Sequence, residues 1–179
     1  GTWWAIATNT DSLYVVDPLT GVNVLIGPNT GTGFVKAFAI TDSAIQRYGS
    51  ACVDGNSVAR RMTWTGGTNI GNFVLHGCDA GPTQAPMFQA YGFSASQAGP
   101  FALPLDLAAF GAPGCELLQS TDAILGPSLT GSQLAFVVPN DPGLVGLTVF
   151  TQSAILDLGA NPNAAGMAFS DALKFTIKP

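Results

Sequence analysis

The chain of 179 residues is long enough for one domain, or for one domain with an arm. Only 9% of its residues are charged and its net charge is −5, with a single adjacent basic pair, Arg60 and Arg61. This composition argues against nucleic acid as a partner, because binding a phosphate backbone needs a basic stripe. Pro, Gly or polar residues break every apolar run well before the ~20 residues that a membrane-spanning helix needs. No transmembrane segment is therefore predicted, and the 47% apolar content also excludes a disordered chain.

The first 45 residues are predicted to form a β-hairpin arm. Strand-like runs at 3–8, 12–16 and 22–26 are separated by turns, and 34–40 offers a further strand. A segment of this size rarely buries enough surface to fold alone, so its apolar side chains need cover from the rest of the chain or from a neighbouring chain. The predicted contact consists of Trp3, Trp4, Ile6, Leu13, Val15 and Ile26.

The remaining chain, 46–179, is predicted to be an antiparallel β-sandwich or jelly-roll-like domain, so the fold class is all-β. Eight short strand candidates alternate with Gly- and Pro-containing turns. They lie at 58–65, 72–77, 86–93, 101–105, 115–120, 133–138, 146–158 and 172–177. In the last of them Leu173, Phe175 and Ile177 share one face, which predicts burial of that face. Both faces of 146–158 are mixed, which predicts a strand that crosses the sheet centre or bends. The segment 105–110 offers the one helix-like turn.

The three cysteines, Cys52, Cys78 and Cys115, allow three single pairings, each of which leaves one thiol. None has metal-ligand spacing, and His76 is the only histidine, so a zinc site is not predicted. A structural disulfide is the preferred interpretation. The leftover thiol is then either buried and inert or a link between chains.

From residue 48 onward the chain resembles a family of C-terminal β-sandwich domains in secreted bacterial proteins of the planctomycete type. The resemblance rests on several segments in order: Tyr48-Gly-Ser-Ala-Cys52, Leu103-Pro-Leu-Asp-Leu107, Gly111-Ala-Pro-Gly-Cys115, Val138-Pro-Asn-Asp-Pro-Gly-Leu-Val-Gly146, Gln152, Asp157-Leu-Gly-Ala-Asn161 and Ser170-Asp-Ala-Leu173. It implies secretion, a β-sandwich and a Cys52–Cys115 disulfide, which leaves Cys78 as the free or intermolecular thiol. The run from Leu13 to Gly27 resembles one hairpin of a β-propeller blade, which by itself cannot close a propeller.

Catalytic patterns are missing from the sequence. Acyl transfer needs a nucleophile beside a base, and His76 lies in an apolar run where a packed or surface role is expected. Glu116 is the only glutamate, and neither a Gly-x-Ser-x-Gly elbow nor a Walker loop is present. The chain is therefore predicted not to be an enzyme, with no catalytic residues and no organic cofactor.

Calcium is the more plausible ligand, because Asp and Asn oxygens recur in predicted loops. The alternative is that these side chains cap turns. The candidates are Asp54, Asn56, Asp141, Asp157, Asn161 and Asn163.

The preferred functional hypothesis is an extracellular structural protein, secreted or at the cell surface. Scarce Lys, abundant Thr, Ser, Asn and Gly, and cysteines near turns favour that location. An apolar arm in front of a complete β domain predicts self-association by strand addition, which yields a filament when the contact does not close. The alternative is a glycan- or ligand-binding module with Trp3, Trp4, Trp64 and Tyr91 as a stacking platform, unless these aromatics pack in the core.

Overall fold

The computed structural model describes residues 3–7, 12–16, 23–28, 45–80, 84–156 and 163–179. The chain divides into two compact units, Gly1–Ser43 and Ala44–Pro179. In the described part, antiparallel strands are interrupted by two 3₁₀ turns, Ala108–Phe110 and Pro142–Leu144. The predicted all-β class is confirmed. No helix in these ranges is long and apolar enough to cross a membrane.

The first unit contains a three-stranded antiparallel meander, one strand more than a hairpin. Its strands are β1 (Trp3–Ala7), β2 (Ser12–Val16) and β3 (Asn23–Pro28), in the order β1-β2-β3. The register of β1 on β2 places Trp4 opposite Val15, and a shift interrupts the β2–β3 pairing between Leu13 and Tyr14. The side chains of the predicted contact, Trp3, Trp4, Ile6, Leu13, Val15 and Ile26, lie outside what the structure describes. That contact stays a prediction.

The second unit contains a five-stranded antiparallel sheet. Its strands are β4 (Ile45–Tyr48), β7 (Pro86–Gly92), β12 (Ala123–Leu129), β14 (Thr148–Leu156) and β15 (Met167–Thr176). The spatial order is β12-β7-β14-β15-β4, so β14 is central and β12 and β4 are the edges. A bulge in β14 lies between Gln152 and Ala154 where it pairs with β15. Residues 148–156 of the mixed segment thus form the central, irregular strand, as predicted.

A second, three-stranded sheet has the order β13-β6-β5. Its strands are β5 (Met62–Gly66), β6 (Phe73–Cys78) and β13 (Gln133–Val137). Two small antiparallel pairs complete the unit: β8 (Gln97–Ala98) with β9 (Phe101–Ala102), and β10 (Leu105–Asp106) with β11 (Glu116–Leu117).

One apolar core receives side chains from both larger sheets. Val74 and Met62 of the three-stranded sheet and Val149, Leu173 and Phe175 of the five-stranded sheet are fully buried in a single cluster. This shared core is consistent with two sheets packed face to face. The predicted buried face of the last strand is confirmed, because Leu173, Phe175 and Ile177 are buried while Lys174 is exposed. Each large apolar side chain buried in this way contributes about 1.5–3 kcal/mol.

A disulfide joins Cys52 to Cys115, the pairing that the family resemblance implied. Both sulfurs lie in a smaller apolar cluster with Leu107 and Ala168. The backbone N–H of Cys52 donates to the Phe169 carbonyl at 2.9 Å, so the bridge is tied to β15. The bridge therefore fastens the segment 105–117 to the five-stranded sheet.

Removing this bridge is expected to lower the free energy of unfolding by about 2–4 kcal/mol, because it closes a long loop in the unfolded chain. The two cysteines are 63 residues apart in sequence. The check is urea denaturation of the Cys52→Ala/Cys115→Ala variant beside the native protein, each with and without reductant. Reductant should destabilise the native protein alone. Equal midpoints for all four samples would contradict the prediction.

Candidate functional site

The calcium candidates are engaged within the fold or lie outside the described residues. Asp54 is buried, with its Oδ2 bound by the Arg60 Nε at 2.8 Å and its Oδ1 accepting the backbone N–H groups of Asn56 and Val58. Asp141 caps the Pro142–Leu144 turn by accepting from the Gly143 N–H at 2.8 Å. Asp157 and Asn161 fall outside the described residues. Within the described ranges, no three His, Cys, Asp or Glu side chains are grouped for a metal ion.

His76 is buried among aromatic rings of the core. Its ring stacks on Phe175 with centroids 5.2 Å apart and meets Tyr91 and Phe136 edge-on at 5.8 and 6.4 Å. Neither ring nitrogen has a hydrogen-bond partner in the described part of the chain, and the Tyr91 hydroxyl likewise has none there. Burial lowers the pKa of His76 to about 3, so the ring is neutral. His76 therefore has the packed role, one of the two roles expected of it.

The remaining thiol and the two described aromatics of the proposed stacking platform, Trp64 and Tyr91, pack within the fold. Cys78 is a free, buried cysteine, and burial raises the pKa of its thiol to about 12. Tyr91 is buried, and Trp64 is half-buried against the core with the Arg47 guanidinium 5.6 Å from its ring centre. Trp64 and Tyr91 thus pack in the core, and the side chains of Trp3 and Trp4 are outside the described residues.

Strand β12 is an apolar edge strand. Among the described strands it pairs with β7 alone, and every residue from Ala123 to Leu129 except Ser128 is exposed. Its sequence, Ala-Ile-Leu-Gly-Pro-Ser-Leu, contains no charged side chain. A register shift between Leu125 and Ser128 interrupts its pairing with β7 around Pro127. The regular part of the open edge is therefore the segment 123–125.

The other edge strands of the two large sheets are better covered. On β4, Arg47 donates to the Met62 carbonyl of β5, so these two edges are linked. Asp171 of the neighbouring strand β15 accepts from the Met62 N–H. On β13, Leu134 and Phe136 are half-buried, although Val137 is exposed opposite Phe73. Strand β12 is the edge that exposes apolar side chains on both of its faces.

Two adjoining hollows lie beside the β8–β9 hairpin. The first, of about 410 Å³, lies between Phe101, Phe110, Leu105 and Leu117. The second, of about 400 Å³, is lined by Phe93, Ser94 and Gln97. Gly99, Ser120 and Asp122 line both. Because they share these three residues, the two hollows form one continuous site, which is called the β8–β9 cleft.

Polar groups at the junction of the cleft are held in place by the backbone. The Asp122 Oδ2 accepts from the Phe93 N–H at 2.9 Å and from the Ser120 hydroxyl at 2.7 Å. The Ser120 Oγ also accepts from the N–H groups of Phe93 and Ser94, each at 3.1 Å. The Ser94 Oγ accepts from the Gln97 N–H at 3.1 Å. These bonds fix the hydroxyl and carboxylate positions before any ligand arrives.

No family model, curated protein or solved structure matches the chain. The likeness to secreted bacterial sandwich domains therefore stays a prediction, and the edge strand and the cleft are the features that bear on function. Sequence reasoning missed both features. The available signals were the uncharged run from Ala123 to Leu125 and the phenylalanine that directly follows Gly99-Pro100.

Proposed function

We propose that the chain is a non-enzymatic extracellular structural protein whose copies associate by β-strand addition. The observation that carries the proposal is the open, uncharged and apolar edge of β12. Such an edge offers unpaired N–H and C=O groups to a further strand, and stable proteins usually protect it with charges or cover it. The exposed side chains of Ile124, Leu125 and Leu129 gain apolar burial when a strand pairs there.

The proposed donor is a strand of the N-terminal meander in a second copy. That unit is built from β strands, and β1 and β3 are the outer strands of its described sheet. A contact between an N-terminal donor and a β12 acceptor joins two different surfaces of the chain, so each copy can bind two others. Repetition of this contact forms a filament, unless the rotation between successive copies closes them into a ring. The charged fraction of only 9% weakens repulsion between the copies.

The Cys52–Cys115 disulfide supports the extracellular setting in this proposal. Structural disulfides form and persist mainly in oxidising compartments, and this one fastens a whole segment to the sheet. A buried bridge also suits a subunit that must stay folded outside the cell.

Placing a charge on the β12 edge is expected to weaken self-association. Ile124→Lys should reduce the association constant by roughly tenfold or more, about 1.4 kcal/mol, because strand addition would bury the ammonium group. Sedimentation velocity and negative-stain electron microscopy over a concentration series measure the effect. Val137→Lys is the matched control, because Val137 is equally apolar and exposed but lies on β13.

Both variants should keep the native far-UV circular dichroism, since exposed substitutions usually change stability by less than about 0.5 kcal/mol. Unchanged assembly of Ile124→Lys, or loss of assembly in Val137→Lys alone, would show that β12 is not the acceptor. Deleting residues 1–28 tests the donor side, with a folded monomer expected. A native protein that stays monomeric at every concentration would end the proposal.

A further inference from the structure

We infer that the β8–β9 cleft binds a neutral oligosaccharide. The inference does not rest on strand addition, because the cleft and the β12 edge are formed by different side chains. It rests on three properties of the cleft: exposed aromatic rings, fixed polar groups at its centre, and the absence of basic side chains from the described residues that line it.

Exposed phenylalanines supply the apolar surface of the cleft. Phe93 is 59% exposed, Phe101 48% and Phe110 58%, although the sheets bury other large apolar side chains such as Phe175 completely. The rings of Phe101 and Phe110 contact edge to face, with centroids 6.5 Å apart, so they support each other in the first hollow. Exposed apolar groups that lie together beside a few polar groups are typical of ligand-binding surfaces. The C–H face of a pyranose ring is a surface that such rings can cover.

Asp122 supplies the carboxylate of the cleft, and the buried Ser120 hydroxyl, whose proton and lone pairs are already bonded within the fold, orients it. Both line the two hollows, and the bonds from Phe93 and Ser120 hold the Asp122 carboxylate in one orientation. A carboxylate accepts hydrogen bonds from sugar hydroxyls, and the exposed Gln97 amide can both donate and accept. Because these groups are already ordered, a ligand loses less free energy in organising them.

The charge of the lining residues and the size of the hollows indicate which class of ligand fits the cleft. Among the described residues that line the two hollows, Asp122 is the only charged one. A phosphate, sulfate or uronic acid would therefore meet a negative group with no described Lys or Arg beside it. An apolar peptide would cover the phenylalanines but desolvate the Asp122 carboxylate without a new partner. The two adjoining hollows, of about 410 and 400 Å³, are shallow and open to solvent, which suits an extended ligand of at least two sugar units that stays partly exposed.

The test is an NMR titration of the full-length, ¹⁵N-labelled protein, at a concentration where sedimentation velocity shows it to be monomeric. The probes are four neutral hexasaccharides: cellohexaose, xylohexaose, mannohexaose and hexa-N-acetylchitohexaose. We expect one of them to shift the amides of residues 93–101 and 120–122 saturably. Phe101→Ala and Phe110→Ala should each weaken that binding by roughly tenfold, about 1.4 kcal/mol. Phe73→Ala is the matched control, because Phe73 is 52% exposed on β6 outside the cleft.

Gln97→Ala provides a second cleft variant that leaves the aromatic pair intact, and it too should weaken binding. Ile124→Lys should bind the sugar like the native protein. The inference fails if none of the four sugars shifts these amides at about 10 mM. It also fails if the cleft variants bind the sugar as well as Phe73→Ala does. Finally, it fails if these amides respond to a neutral apolar hexapeptide, or to an anionic hexauronate, but to none of the neutral sugars.

Discussion

Replacing Arg60 by Met is expected to lower the free energy of unfolding by about 3–5 kcal/mol, because it leaves the Asp54 carboxylate buried without its countercharge. Arg60 and Asp54 are almost completely buried, and the Nε–Oδ2 distance is 2.8 Å. Burial opposes ionisation of Asp54, but the hydrogen bonds from Val58, Arg60 and Asn56 together hold its pKa below the usual value. Asp54 is therefore charged at neutral pH and needs its partner.

The guanidinium also connects distant segments of the second unit. Its Nη1 donates to the Ala80 carbonyl and lies 3.5 Å from the Asp79 carbonyl and 3.4 Å from the Thr130 hydroxyl. The loop around Asp54, the end of β6 and the turn between β12 and β13 thus meet at one side chain. Losing it removes these contacts together with the ion pair, which places the expected effect among the largest for a single substitution.

Urea denaturation at pH 7 measures this effect, and the neighbouring residue provides the control. Arg61→Met removes the same charge from an exposed position and should change the free energy of unfolding by less than about 0.5 kcal/mol. Asp54→Asn/Arg60→Met should recover part of the loss, because Asn removes the buried charge while keeping an oxygen for the Asn56 and Val58 N–H groups. Equal midpoints for Arg60→Met and Arg61→Met would refute the structural role of the pair.

The features that depend on local pattern could be predicted from the sequence. Alternation through Leu173, Phe175 and Ile177 identified a strand with one buried face, and frequent Gly and Pro between short β-rich runs identified the all-β class. The central position of β14 in its sheet was predicted from the mixture of polar and apolar residues on both of its faces. Its buried Gln152 accepts from the Leu118 N–H and donates to the Ser170 carbonyl, so a polar residue fits the interior once tertiary partners exist.

The features that depend on tertiary context could not be predicted. Gly126-Pro127 reads as a turn, but the strand β12 continues through it with a bulge, because β7 pairs with residues on both sides. The β8–β9 cleft collects side chains from segments around residues 93, 101, 110 and 122, which no local motif connects. The segment Asp54-Gly-Asn56 was predicted to be a turn with possible calcium ligands. The sequence alone did not show that the Arg60 side chain is buried beside Asp54.

Acidification is expected to destabilise the protein through His76. Above pH 6.5 the ring is neutral in both the folded and the unfolded chain, so His76 adds no pH dependence. Below that pH the unfolded state binds a proton that the folded core excludes until the pH reaches about 3. The free energy of unfolding should therefore fall by up to about 1.4 kcal/mol per pH unit across this window, on the order of 5 kcal/mol in total.

His76→Leu isolates this contribution, because leucine has a similar volume and cannot titrate. Urea midpoints at pH 7, 6, 5 and 4 should fall less steeply for His76→Leu than for the native protein. The carboxylates titrate in both proteins, so the difference between the two slopes reports His76 alone. At pH 7 the variant should be at least as stable, since it removes two buried nitrogens that have no partner in the described part of the chain. Phe136→Leu, at a ring that contacts His76, should change stability without changing the slope. Parallel slopes for the native protein and His76→Leu would mean that the core admits the proton.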